Sequence, residues 1–158
     1  MKKVFFIAAL AVASLGVNAQ SPIKFSAGAE VHLPVGDWSD FYSVGYGASL
    51  QGDYSLDEQL ALTLNAGYLN FSGKNNVDNW GVIPVMGGIK YTFQGNVFAS
   101  AQLGASFGTE SGSGTAFTYA PGIGYKFSPN FDALIKYTGW SKNSNTNGSV
   151  GLRLAYTF

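Results

Sequence analysis

The chain has 158 residues, nine basic and nine acidic side chains, no cysteine, and a composition that is 46% hydrophobic and 15% aromatic. Without cysteine there can be no disulfide cross-links and no thiolate metal sites, and no basic block of the kind that tracks nucleic-acid phosphates is present. The length allows one domain of ordinary size and excludes two.

The first residues read as a secretory signal. Lys2 and Lys3 supply the positive start, residues 4–15 the short apolar stretch, and Val17-Asn18-Ala19 a small-residue cleavage site, which predicts a cut after Ala19. The apolar stretch is too short to anchor the chain as a membrane-spanning helix. The expected organisation is therefore a signal peptide over 1–19 and one domain over 20–158. The mature chain would have 158 − 19 = 139 residues, and losing Lys2 and Lys3 leaves seven basic against nine acidic groups, a net charge of about −2.

Beyond residue 20 no stretch shows helical periodicity, whereas eight segments alternate with period two between clusters of Gly, Ser, Asn and Asp. Residues 23–33 set Ile23, Phe25, Ala27, Ala29, Val31 and Leu33 against Lys24, Ser26, Gly28, Glu30 and His32. Residues 44–54 set Val44, Tyr46, Ala48, Leu50 and Tyr54 against Gly45, Gly47, Ser49, Gln51 and Asp53. The pattern recurs over 60–68 and again over 83–93, where Pro84 donates no ladder bond and is expected near the strand end. It continues over 97–107, with Phe98 as an exception, and over 117–127. Residues 132–138 are less regular because Leu134 joins the polar face, and residues 150–158 close the series. The predicted connections alternate in length. Those at 55–58, 94–96 and 128–130 are short, while those at 34–43, 72–79, 108–116 and 141–148 are longer and polar, the loop signature of an up-and-down barrel.

Eight charged residues fall within these strands, and all share the polar face: Lys24, Glu30, Asp53, Lys90, Lys126, Asp132, Lys136 and Arg153. Volume decides which face is outside. An eight-stranded barrel has an interior only just wide enough for side chains to fill, and the apolar set holds most of the large residues, so it must face outward, to lipid. The inner face is then rich in Gly, Ser and Thr, with charges that should pair into a network, since unpaired buried charge is costly. The predicted fold class is all-β: an eight-stranded antiparallel up-and-down transmembrane β-barrel behind a cleaved signal peptide. Aromatic residues gather toward both strand ends, as membrane interfaces favour; Trp38, Trp80 and Trp140 are assigned to the belt on the loop side.

At the C-terminus, Leu152-Arg153-Leu154-Ala155-Tyr156-Thr157-Phe158 resembles the alternating last strand ending in Phe of small outer-membrane β-barrel proteins of the OmpA/OmpX type, and Ile83-Pro84-Val85 with Gly88-Ile89-Lys90-Tyr91-Thr92-Phe93 resembles another strand common there. The resemblance covers the whole mature sequence. It implies a location in the outer membrane of a Gram-negative cell, and insertion from the periplasm by a barrel-assembly machinery that recognises Tyr156 and Phe158. It implies no activity. Loop-length alternation with an even strand number places both termini in the periplasm.

The function expected is that of a monomeric, non-enzymatic membrane-structural or surface-interaction protein with a filled polar lumen, without cofactor or metal. Outer-membrane lipid is the expected partner, nucleic acid is not, and the surface partner is unknown. Loop aromatics Trp38, Phe41, Tyr42 and Trp140 are the candidate surface contacts, since aromatic anchors dominate recognition. Three alternatives remain: a narrow passive pore, because interior charges also line channels; a lipid-modifying enzyme built on His32 with Ser43, Asp37 and Asp40; and a soluble carrier, because lipocalin-like barrels also alternate.

Overall fold

The computed structural model describes residues 23–158 except 76, 94 and 111. The expected signal peptide over 1–19 lies outside the described residues. Eight strands follow in chain order: β1 (Ile23–Val35), β2 (Tyr42–Ser55), β3 (Leu60–Gly73), β4 (Trp80–Thr92), β5 (Val97–Gly108), β6 (Thr115–Lys126), β7 (Phe131–Lys142) and β8 (Asn145–Thr157), with a short 3-10 helix (Gly36–Asp40) between β1 and β2. Each strand pairs antiparallel with its chain neighbour, and β1 pairs with β8, so the sheet closes on itself and leaves no edge.

Period-two alternation sorts the side chains as in any closed sheet. Leu64, Leu103, Ile123 and Leu154 stand outward with more than half of their surface open, while their chain neighbours Thr63, Gln102, Gly124 and Arg153 are buried. Two irregular positions in the pattern are inward. Phe98 and Leu134 are both buried in the barrel interior, and the glycine of β6 opposite them, Gly124, leaves the room that the Phe98 ring occupies.

Several strand limits differ from the expected ones. Pro84 lies well inside β4, where it pairs with Ser106 of β5; on its other side the β3–β4 ladder jumps from Ala66↔Val85 to Leu69↔Val82. Pro121 repeats the arrangement, paired with Ala101 while the β6–β7 ladder jumps from Tyr119↔Gly139 to Gly122↔Lys136. A proline without a donor is thus accommodated by interrupting one of its two ladders. The expected long connection at 141–148 is a two-residue turn at Asn143 and Ser144, whose φ values of 50° and 65° are those of a type I′ hairpin. β3 runs past Tyr68 to Gly73, and β4 begins three residues earlier than expected, at Trp80.

The opposite end is closed by turns of four residues, 56–59, 93–96 and 127–130. In the first of these the Asp57 carboxylate accepts from the backbone N–H groups of Leu60 and Gln59, each at 2.7 Å, and these bonds hold its carboxyl below the usual aspartate range.

Toward the end that carries the 3-10 helix the alternation inverts. There Leu69, Phe71, Val82 and Trp140 point inward, while Asn70, Ser72 and Ser141 occupy the intervening outward positions. Trp38 folds over from the 3-10 helix and joins them, with Tyr42 and Trp80 packed alongside. None of the three tryptophans sits in an outer belt: all belong to this interior cluster, with ring centroids 4.7 to 5.7 Å apart among Trp38, Phe71, Trp80 and Trp140.

Candidate functional site

Directly beneath the aromatic cluster, Glu30 of β1 gathers four side chains from other positions. Lys136 Nζ of β7 lies 2.8 Å from Oε2, Arg153 Nε of β8 lies 3.7 Å from Oε1, His32 Nε2 lies 2.9 Å from Oε2, and the Ser49 hydroxyl of β2 donates to Oε1. A carboxylate can only accept, so the imidazole carries a hydrogen on Nε2, and its Nδ1 is hydrogen-bonded to the Ser149 hydroxyl at 2.9 Å. Arg153 completes its geometry by donating from Nε to Ser49 at 2.9 Å and from Nη2 to Ser26 at 3.1 Å. Glu30, His32, Lys136, Ser149 and Arg153 are all buried.

A second network lies nearer the four-residue turns. Lys90 Nζ is 3.2 Å from Asp53 and 3.8 Å from Asp132, and stands 4.3 Å from the centre of the Phe98 ring. Gln51 donates to Asp53 at 2.7 Å, and Gln102 and Asn65 both donate to Gln51. Lys24 and Lys126 are cross-strand neighbours of Asp53 and Asp132 in register, yet those carboxylates turn to Lys90 instead. Among the described residues neither lysine makes an ion pair. Lys126 donates to Thr92 at 3.2 Å, and both line a pocket of about 240 Å³ at that mouth. The eight charged residues singled out from the sequence therefore form two networks with two lysines at the rim.

The larger interior side chains fit because glycines face them. A Cβ at Gly28 would collide with the Arg153 side chain, at Gly151 with the His32 ring, and at Gly45 with the Phe71 ring.

The candidate surface contacts separate into two kinds. Phe41 is exposed and Tyr42 half-buried, but Trp38 and Trp140 are 7% and 3% exposed. Those two cannot serve as exposed anchors: their apolar rings gain more from packing on Phe71 and Leu69 than from water. The enzyme constellation is also dissolved. His32 bonds to Ser149 and Glu30, whereas Ser43 donates to the Ser72 backbone carbonyl and Asp37 and Asp40 lie exposed in the 3-10 helix. The Glu30–His32–Ser149 row does follow the order acid, base, hydroxyl, but it lines neither mouth pocket. Sequence reasoning missed the roles of Ser49, Gln51 and Gln102, whose polar-face positions were visible but whose bonds to Glu30, Asn65, Thr63 and each other cross between strands, and it missed Ser149, which lies before the expected start of the last strand.

Comparison with known proteins places this geometry. The family model described as "Outer membrane protein beta-barrel domain" matches residues 5–158. No curated protein matches the chain. Among solved structures, the attachment invasion locus protein Ail of Yersinia pestis is 18% identical, with 86% of this chain and 97% of that chain covered and a TM-score of 0.62. The N-terminal β-barrel domain of Pseudomonas aeruginosa OprF is 17% identical, with 84% and 97% covered and a TM-score of 0.60. A de novo designed transmembrane β-barrel is 18% identical, with 85% and 95% covered and a TM-score of 0.57. At these identities the likeness is one of fold.

Proposed function

The chain belongs to the outer-membrane β-barrel domain family, and from that premise we propose that it is a monomeric, non-enzymatic barrel whose lumen is shut by its own side chains, serving membrane structure or surface interaction rather than conduction. The single observation carrying this reading is the stack of buried groups along the axis: Phe71 and His32 at 0%, Arg153 at 2% and Phe98 at 1% exposure, on four different strands. An ion crossing the barrel would have to displace the Arg153–Glu30–Lys136 network and then the ring cluster above it. Burial of Ser149 and His32 supports the non-enzymatic reading, because a nucleophile and base need a reacting atom within hydrogen-bond reach.

A mature protein starting at Gln20 and both termini in the periplasm complete the reading, with Tyr156 and Phe158 as the assembly signal. The placement of the termini is supported by the four-residue connections at the end where β1 starts and β8 finishes, shorter than three of the four at the other end, the exception being the two-residue β7–β8 turn. Intact mass of the membrane-extracted protein tests the cut after Ala19, and protease protection of a C-terminal tag in whole cells tests the termini. For the lumen, planar-bilayer recording of the purified barrel is expected to give no discrete openings. Steady unitary steps from pure protein would replace this reading by that of a narrow pore.

A further inference from the structure

The ring cluster does not fill its end of the barrel to the rim. Above it lies an open pocket of about 380 Å³, with Trp38, Tyr42, Trp80 and Trp140 among its lining and Lys142, Asn145 and Asn147 at the edge. Tyr42 and Trp80 are half-buried, so part of each ring remains open. Trp80 stands at 80° to Trp38 and 89° to Trp140, which makes a faceted bowl rather than a flat shelf. The Trp140 indole N–H is already given to Ser106 at 3.2 Å and its ring is buried, as is that of Trp38, so the open aromatic surface is that of Trp80 and Tyr42 over a floor of packed rings.

The rim is polar in a specific way. Asn143, Asn145 and Asn147 bring three amides, each with donor and acceptor, and among the described residues none of these side chains has a hydrogen-bond partner. The Lys142 ammonium is fixed at the rim by the Ser113 backbone carbonyl. Among the described residues no carboxylate lines the pocket. A cationic guest, the usual occupant of an aromatic cage, would therefore meet the Lys142 ammonium at the rim, with Asp78 and Glu110 beyond the lining as the carboxylates that act on Tyr42.

Aromatic faces below and amides with one ammonium above match a pyranose. Its C–H faces are apolar and pack on rings, while its belt of hydroxyls both donates and accepts. The volume is at the small end of ligand pockets, enough for one or two sugar residues. We infer that this mouth is a saccharide-binding site, taking the terminal sugar of a glycan that is neutral or carries one acid group facing Lys142. The inference is independent of whether the lumen conducts, so ligand titration and conductance can fail separately.

The test is tryptophan fluorescence of the purified barrel in a polyoxyethylene detergent, which carries no sugar. Probes are glucose, galactose, N-acetylglucosamine and N-acetylneuraminic acid with their short oligomers, delipidated lipopolysaccharide core, and choline. A saturable shift with at least one saccharide is expected, weakened about ten-fold or more by Trp80→Ala, the loss of one anchor ring, and unchanged by Phe41→Ala outside the pocket. Binding of the lipopolysaccharide core alone would assign the ligand to the cell's own surface, and binding of the other glycans to a foreign one; either supports the site. Should Trp80→Ala lose the heat-modifiable migration of a folded barrel, the exposed pair Asn145→Ala and Asn147→Ala takes its place, with at least about a three-fold loss expected. The idea is overturned if no saccharide shifts the signal, if only choline does, or if folded pocket variants bind as tightly as the parent.

Discussion

Among the described residues Glu30 is the one carboxylate paired with Lys136 and Arg153, and all three are buried. Replacing it by glutamine leaves two buried cations without a counter-charge, and breaking such a pair from one side costs about 3 to 5 kcal/mol. Urea unfolding of Glu30→Gln in lipid vesicles is expected to show a loss of about that size; an unchanged midpoint would mean that water screens the network. Gly45 is the second sensitive position. The three atoms nearest to a Cβ there all belong to the Phe71 ring, so Gly45→Ala should cost about 1 to 3 kcal/mol as overpacking does, and Phe71→Leu in the same chain should recover part of it. The same paired measurement would separate a packing effect from one on strand propensity.

The β7–β8 hairpin shows how a strand can be read as a loop. Residues 141–148 are almost all Ser, Asn, Thr and Gly, yet they pair as Ser141↔Thr146 and Lys142↔Asn145 around a two-residue turn. Ser144 holds φ of 65°, a region where a Cβ costs about 1 kcal/mol or more. Ser144→Gly is accordingly expected to raise the unfolding free energy by up to about 1 kcal/mol, measured by the same urea titration, whereas Ser144→Pro should prevent the turn because proline fixes φ near −65°. β3 carries the related lesson. Its last residues alternate with the opposite sense, Leu69 and Phe71 inside and Asn70 and Ser72 outside, which masks the strand from any rule that expects the oily side to stay outward.

A thirteen-residue strand such as β8, at about 3.4 Å per residue and a tilt of about 40°, spans roughly 34 Å along the axis, more than the apolar band of about 25 Å that such barrels present to lipid. The excess accounts for the inversion: past the lipid the outer surface meets water, so polar residues face out and the apolar ones turn in to form the ring cluster. Leu103, 62% exposed at mid-strand in β5, tests the placement of the band. Leu103→Arg should cost about 2 to 4 kcal/mol in phosphatidylcholine vesicles, as cations do at the bilayer midplane, and a much smaller value would put the outer face of β5 in another environment.

The number of strands, their antiparallel order, the closed sheet and the outward apolar face were all legible in the chain, because each follows from a local period of two and from comparing side-chain volume with the space inside. The existence of eight inward charges was legible for the same reason. Which of them meet was not. Glu30 binds Lys136 and Arg153 from strands more than one hundred residues away in sequence, and Lys90 draws Asp53 and Asp132 away from their nearest cross-strand lysines. Register and barrel closure decide such partners, and no local pattern encodes them. The three tryptophans mark the same limit: in the chain they stand among polar loop residues, and only closure brings Trp38, Trp80 and Trp140 together over Phe71, where mutual burial outweighs the pull of the membrane interface.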